Sequence, residues 1–341
     1  MVPSVVSAAG LPPRRTNPWQ RHGTTLLAEA TTDPDLAIKK AGLDWEVKRV
    51  DLRTADTLDP VPDCAAIRRS DTKAILGVVG PDYMPFQNQQ MFDVIKDLAT
   101  AARNGGFPAT IETAGSFQGG RVVWALSHIP QLGITIGEDE AKTYLLVSSG
   151  HSGQRALLCG FTTRRVICEN QLQMAESQIR DNRKRRGLAA GFTIKHLPGI
   201  HAAVNEAKDA FAALVDSHAA TKAAWKHLAS KPLTERLKND LLLNVFGRPG
   251  PDEADRAKAL RKTREERIAA ILASPTSQVK GTKDTAFSLM QSVVEWVDHC
   301  RSTRVTEGRD ADESRLFSAT FGSGSEVKAT AWDAILELTQ A

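Results

Sequence analysis

The sequence TIETAGSFQGGRVVWAL, residues 110–126, predicts a β-hairpin in the first half of the chain. Its two arms, 110–117 and 121–126, contain many β-branched and aromatic residues, and Gly119-Gly120 between them is a strong tight-turn signal. Two more runs of strand length follow, KTYLLVS at 142–148 and RALLCGF at 155–161. The turn sequence HSGQ separates these runs. Consecutive strands joined by short turns indicate an antiparallel sheet.

The segments around this hairpin continue a mixed pattern. Residues 44–50 alternate between apolar and polar side chains, and residues 65–69 and 74–79 resemble a second hairpin. Asn88 is placed to cap a helix whose apolar residues recur at helical spacing up to the glycines at 105–106.

A fifth strand at 163–168 and a helix near Gln171 are also expected. From Gly199 to the end, nearly all periodicity is helical, with a break at the Gly- and Pro-rich residues 247–251. We therefore predict an α+β fold, a mainly antiparallel sheet with flanking helices followed by a helical C-terminal half. The predicted divisions are a flexible basic N-terminal arm at 1–35, an α+β core at 36–198 and a helical region at 199–341.

The composition is that of a globular protein, with 41% hydrophobic and 25% charged residues among 341. The N-terminus lacks a signal-peptide pattern, and no apolar run approaches the roughly 20 residues that a membrane span needs. The four cysteines show no C-x-x-C spacing, which argues against a zinc or thioredoxin-like site. No bound metal and no cofactor are expected. These features predict a cytoplasmic protein without a membrane partner.

Five blocks, in this order, resemble the phage/plasmid-like protein family, also called domain of unknown function 932. They are LGVVGPDY at 76–83, ETAGS at 112–116, SGHSG at 149–153, RVICEN at 165–170 and FGSGSEVKATA at 321–331. The resemblance runs from about residue 40 to the C-terminus. It implies descent from a mobile element and leaves the mechanism open.

Two catalytic interpretations use residues of these blocks. Cys168, His151 and Asn170 are the residue types of a cysteine-nucleophile triad, although Cys168 lies in an apolar stretch typical of a buried small hydrophobe. Asp82, Glu112 and His151 could instead serve metal-assisted or phosphate-ester hydrolysis, although turn Asp and strand Glu residues are commonly structural.

Two binding interpretations use glycines and basic residues. Gly119-Gly120 beside Arg121, and the GSGS sequence at 322–325 before Lys328, resemble weak anion sites. Basic residues also follow the predicted strands closely, and these are the candidate contacts to nucleic-acid phosphates: Arg121, Arg155, Arg164, Arg165, Arg180, Arg183, Lys184, Arg185, Arg186 and Lys195.

Strand aromatics, namely Phe117, Trp124, Tyr144 and Phe161, could stack bases or pack inward as core. The function expected from these patterns is binding rather than catalysis. We expect a nucleic-acid-binding accessory protein of a phage- or plasmid-type mobile element, acting on single-stranded DNA in replication, recombination or annealing. A homo-oligomer is expected, because a helical C-terminal half is suited to subunit contacts. A phosphate-ester or nucleotide-handling enzyme and a structural assembly protein are the alternatives.

Overall fold

The computed structural model describes residues 18–27, 31–169, 171–173, 191–207, 211–248, 250, 254–305 and 310–340. Within this part of the chain, eight strands form a main antiparallel sheet and three form a smaller one. The strands are β1 (Gly23–Thr25), β2 (Val47–Arg53), β3 (Pro60–Arg69), β4 (Ile75–Val79), β5 (Thr110–Phe117), β6 (Val122–His128), β7 (Ile134–Ile136), β8 (Asp139–Gly150), β9 (Leu157–Arg165), β10 (Gln171–Gln173) and β11 (Gly191–Ile194).

Helices precede, interrupt and follow the sheets. They are α1 (Pro18–His22), α2 (Pro34–Lys40), α3 (Asn88–Asn104), α4 (Ile200–Ala207), α5 (Phe211–Ser230), α6 (Glu235–Phe246), α7 (Asp255–Leu272), α8 (Ala286–Glu295), α9 (Ala311–Phe321) and α10 (Ser323–Gln340). The strands lie in the first part of the chain and helices dominate after residue 199, so the predicted α+β class is confirmed.

The main sheet has the order β1-β5-β6-β8-β9, and every pairing in it is antiparallel. The predicted hairpin is present, with Phe117 of β5 opposite Val122 of β6. The turn between these strands requires glycine, because Gly119 and Gly120 have φ values of 69° and 99°. The smaller sheet has the order β2-β3-β4, so β4 lies at its edge.

Both faces of the main sheet are covered. Val123, Leu145 and Cys159 join a hydrophobic core with helices α2, α3, α4 and α5 and with the smaller sheet. Their neighbours Trp124 and Leu146 point to the opposite face, where they pack with α1 and α9. This two-sided packing explains why β9 is buried along its whole length and shows no alternation of polar and apolar residues.

The helical half packs against the beginning of β8. Ala141 lies in a third core with residues of α5, α6, α7, α8 and α10. The loop before α8 also meets the turn between β7 and β8 closely: a Cβ atom on Gly137 would overlap the Lys280 carbonyl oxygen. Glycine therefore permits this approach, and the backbone N–H of Glu138 donates to that same oxygen at 2.8 Å.

Three sequence expectations differ from the structure. Strand β9 runs unbroken from Leu157 to Arg165, and a turn follows it, so residues 163–168 are not a separate strand. Strand β10, rather than a helix, begins at Gln171. Gln87, not Asn88, is the N-cap of α3, because the Gln87 side chain and Gln90 form a capping box.

The N-terminal segment is also partly structured where a flexible arm to residue 35 was expected. Residues 1–17 lie outside the described residues. Trp19 in α1 is 1% exposed and packs edge-on against Trp124, with ring centroids 4.5 Å apart. Burial of this large ring against the sheet fixes α1, and β1 then pairs with β5.

Candidate functional site

One end of the main sheet brings together turns that are far apart in sequence. Val122 at the start of β6 lies opposite Gly150 at the end of β8, and Leu157 at the start of β9 lies opposite Ile194 at the end of β11. Arg121, His151, Arg155 and Lys195 are therefore at this same end. We call it the turn end, comprising residues 118–121, 151–156 and 195–197.

An open cleft of about 810 Å³ lies at the turn end. Its walls come from residues 78–83, which follow the middle of β4, from residues 152–156, and from residues 193–197. The first two segments meet closely, because a Cβ atom on Gly77 would lie 2.7 Å from the Ser152 backbone. Gly153, with φ of 78°, turns the chain beside Val79. The sequence blocks 76–83 and 149–153 thus form one site.

The mouth of the cleft carries opposite charges and apolar groups. Asp82 and Lys195 line it and are exposed. Val78 and Leu197 also line it, and they are 57% and 45% exposed. Arg155 is held differently, since its Nη2 donates to the Phe321 carbonyl at 2.8 Å and its guanidinium lies 4.8 Å from the Phe317 ring centroid.

Tyr83 and His196 form the inner wall of the cleft. Their rings are parallel with centroids 5.3 Å apart, and the Tyr83 hydroxyl donates to the Gly150 carbonyl at 2.9 Å. Burial raises the pKa of the Tyr83 phenol above its usual value. Burial also lowers the pKa of His196 to about 4, so its imidazole is neutral at physiological pH.

His151 lies beside this wall and is completely buried. The Asn88 amide nitrogen donates to the carbonyls of Leu43 and Trp45, at 2.9 and 3.1 Å. The Asn88 oxygen therefore accepts a hydrogen bond from His151 Nε2, at 2.8 Å, which places the imidazole proton on Nε2. Burial, followed by the nearby His196 and Arg69, lowers the pKa of His151 to about 3. This histidine is a neutral structural group that connects α3 to the turn end.

The opposite end of the sheet holds Arg164 and Arg165, which were predicted to contact phosphates. Arg165 is 2% exposed, and its Nε donates to Asp139 Oδ1 at 2.9 Å. Arg164 is 8% exposed, and its Nη2 donates to the Tyr144 hydroxyl at 2.6 Å. Glu112 accepts from that hydroxyl at 3.1 Å. These arginines connect elements inside the molecule and do not form an exposed basic face.

Both catalytic interpretations fail on distance. The nine residues of β9 are eight steps of about 3.3 Å, so the two ends of the strand are about 26 Å apart. His151 precedes β9 at the turn end, whereas Cys168 follows it at the other end, where it is 3% exposed and its Sγ accepts from Arg165 Nη1 at 3.4 Å. Asn170 lies outside the described residues. Glu112 is likewise far from Asp82 and His151, and the described residues contain no cluster of three or more His, Cys, Asp or Glu side chains that could hold a metal ion.

Other predicted groups also pack inside the protein. Phe117, Trp124, Tyr144 and Phe161 are all buried, as expected for core aromatics. Lys328 is 1% exposed, and its Nζ lies 2.8 Å from Asp298 Oδ1, so it is committed to an internal ion pair rather than an anion site.

The basic residues of 180–186, Arg180, Arg183, Lys184, Arg185 and Arg186, lie outside the described residues. The strands β10 and β11 lie on either side of them in the sequence. Gln173 of β10 lies opposite Thr162, and Gly191 of β11 lies opposite Gly160, so β10 and β11 follow the same edge of β9. The basic residues therefore lie in the sequence between β10 and β11, and β11 leads on to Lys195 at the cleft.

Sequence reasoning missed the cleft and the residues Val78, Gln154 and Leu197 that line it. The available signal was the pair of sequences GPDY and HSGQ, which belong to two of the five family blocks and supplied the candidates Asp82 and His151, but which were not expected to form one cleft. Their meeting depends on the contact between the two sheets, which local patterns do not encode.

No helix in the described ranges is long and apolar enough to cross a membrane.

Comparison with known proteins gives a match to a family model. No curated protein and no solved structure matches the chain. A family model described as domain of unknown function (DUF932) matches residues 75–320, well over half of the chain and including the segments that line the cleft. The chain therefore belongs to the DUF932 family.

Proposed function

We propose that this protein binds single-stranded nucleic acid at the turn end of its main sheet. One observation carries the proposal: β11, which follows the basic residues of 180–186 in the sequence, leads directly to the open cleft, where Lys195 is exposed. Exposed Arg121 lies at the same end of the sheet. Clustered cations attract phosphates by a sequence-independent interaction.

Internal contacts exclude some of the residues predicted to contact phosphates. Arg164 and Arg165 are excluded because they are buried in pairs with acidic or phenolic groups. Arg155 is engaged with Phe321 and Phe317, so it serves mainly to hold α9 against the turn end. Arg121, Lys195 and the five basic residues of 180–186 remain. A role in a phage- or plasmid-type mobile element, cytoplasmic residence and homo-oligomerisation belong to the same proposal.

The test is the salt dependence of binding to a labelled single-stranded oligonucleotide, measured by fluorescence anisotropy. Each phosphate contact contributes about −0.7 to the slope of log affinity against log salt concentration for single strands. Replacing Arg183, Lys184, Arg185 and Arg186 together by Ala should flatten the slope and weaken binding to all sequences alike.

A matched control removes four exposed positive charges from the helical half, through R236A, K258A, K262A and K283A. This control should bind like the wild type. If the wild type binds no oligonucleotide at low salt, the proposal is wrong. If both quadruple variants lose the same affinity, the interaction depends on net charge and not on this end of the sheet.

A further inference from the structure

Exposed apolar side chains border the cleft. Val78 and Leu197 line it, and the exposed Met84 lies next to it, because its backbone N–H donates to the carbonyl of the lining residue His196. Solvent-exposed clusters of this kind mark binding sites when polar groups surround them. The polar groups are present here, since Asp82, Ser152 and Lys195 line the same cleft.

The size of the cleft selects the form of nucleic acid that can enter it. A volume of about 810 Å³ is within the range of pockets that enclose small organic ligands. Paired and stacked bases in a duplex present only their backbone and groove edges to a protein. An unpaired nucleotide, in contrast, can turn its base into a concave site and bury an apolar face.

The charges orient such a nucleotide. The exposed ammonium of Lys195 attracts a phosphate, whereas the exposed Asp82 carboxylate repels one. The apolar walls at Val78 and Leu197 then face the base.

We propose that the cleft is a base-accepting subsite for one unpaired nucleotide of a single strand, with Lys195 on its phosphate and Val78 and Leu197 against its base. This proposal rests on the proposed function. It adds recognition of a base to recognition of the phosphates. A protein that recognised phosphates alone would not distinguish a normal strand from one without bases.

The experiment compares an oligothymidylate of about ten nucleotides with an abasic oligonucleotide of equal length and charge. Wild-type protein should bind the abasic strand roughly tenfold more weakly, the effect of losing one apolar contact of side-chain size. L197S should reduce binding of oligothymidylate by a similar factor without changing the salt slope. K195Q should reduce the slope by about 0.7.

Two control variants make the same kinds of substitution at exposed residues away from the cleft. L260S changes an exposed leucine of α7, and K142Q changes an exposed lysine near the start of β8, away from the turn end. Both should bind like the wild type. Equal affinity for the abasic and normal strands, with L197S unchanged, would overturn the subsite while leaving nucleic-acid binding intact. Absence of binding to either strand at low salt would overturn the proposed function as well.

Discussion

Mild acid should destabilise this protein through two buried histidines. His151 and His196 have pKa values lowered to about 3 and about 4, in both cases chiefly by burial. In the unfolded chain each group recovers a pKa of about 6.5. Below that value the unfolded state binds more protons than the native state, so stability is complete above about pH 6.5 and falls as the pH drops.

The magnitude follows from the same values. At pH 5 the unfolded histidines are about 1.5 pH units below their pKa, whereas both native imidazoles are still mainly neutral. Each histidine then costs about 2 kcal/mol, and the pair about 4 kcal/mol, relative to pH 8. This is a large share of the roughly 5–15 kcal/mol that stabilises an ordinary domain. The half-buried His128 and the buried His218 also have lowered pKa values, chiefly through desolvation, and act in the same direction.

Urea unfolding at pH 8, 7, 6 and 5 measures this effect. In H151Q the glutamine amide can still donate to Asn88 but does not titrate, so the loss of stability between pH 8 and pH 5 should be smaller by about 2 kcal/mol. H201Q, which removes an exposed histidine, serves as the control. If H151Q and the wild type lose the same free energy of unfolding over this range, the assignment of His151 as a buried neutral group is wrong.

Three further outcomes are expected. D139A should cost about 3–5 kcal/mol in the free energy of unfolding, because it leaves the Arg165 guanidinium buried without its carboxylate; the double variant D139L/R165M should lose less. Cys168 should react slowly with a thiol reagent under native conditions, as measured by mass spectrometry, because it is 3% exposed; rapid stoichiometric labelling would contradict its burial. D82N should strengthen oligonucleotide binding two- to threefold at low salt, about 0.5 kcal/mol, since it removes a negative charge from the cleft; weaker binding would indicate that the carboxylate contacts the ligand directly.

The hairpin strands were predictable because their signals are local. Gly119-Gly120 can adopt the positive φ values of a tight turn between two sequences rich in strand-forming residues, and the structure has this turn. The ends of the strands were less predictable. With both faces of the sheet buried, β9 and the part of β8 after Lys142 lack the alternation that marks a strand and its limits.

The roles of the arginines could not be predicted from residue type. Arg164 and Arg165 resemble surface residues in the sequence, yet they are buried beside groups brought by distant segments, Glu112 and Asp139. Arg121 and Lys195 have the same chemistry and are exposed. Only tertiary contacts distinguish the two pairs. Arg164 and Arg165 lie at one end of the main sheet, and Arg121 and Lys195 lie at the other.

Photo-crosslinking of a single-stranded oligonucleotide, followed by peptide mapping, shows where on the protein the strand binds. We expect crosslinks in the segments that line the cleft, residues 78–83, 152–156 and 193–197, and their suppression by excess unlabelled single strand. Crosslinks confined to the helices after residue 211, or to the end of the sheet that holds Arg164 and Cys168, would contradict this expectation.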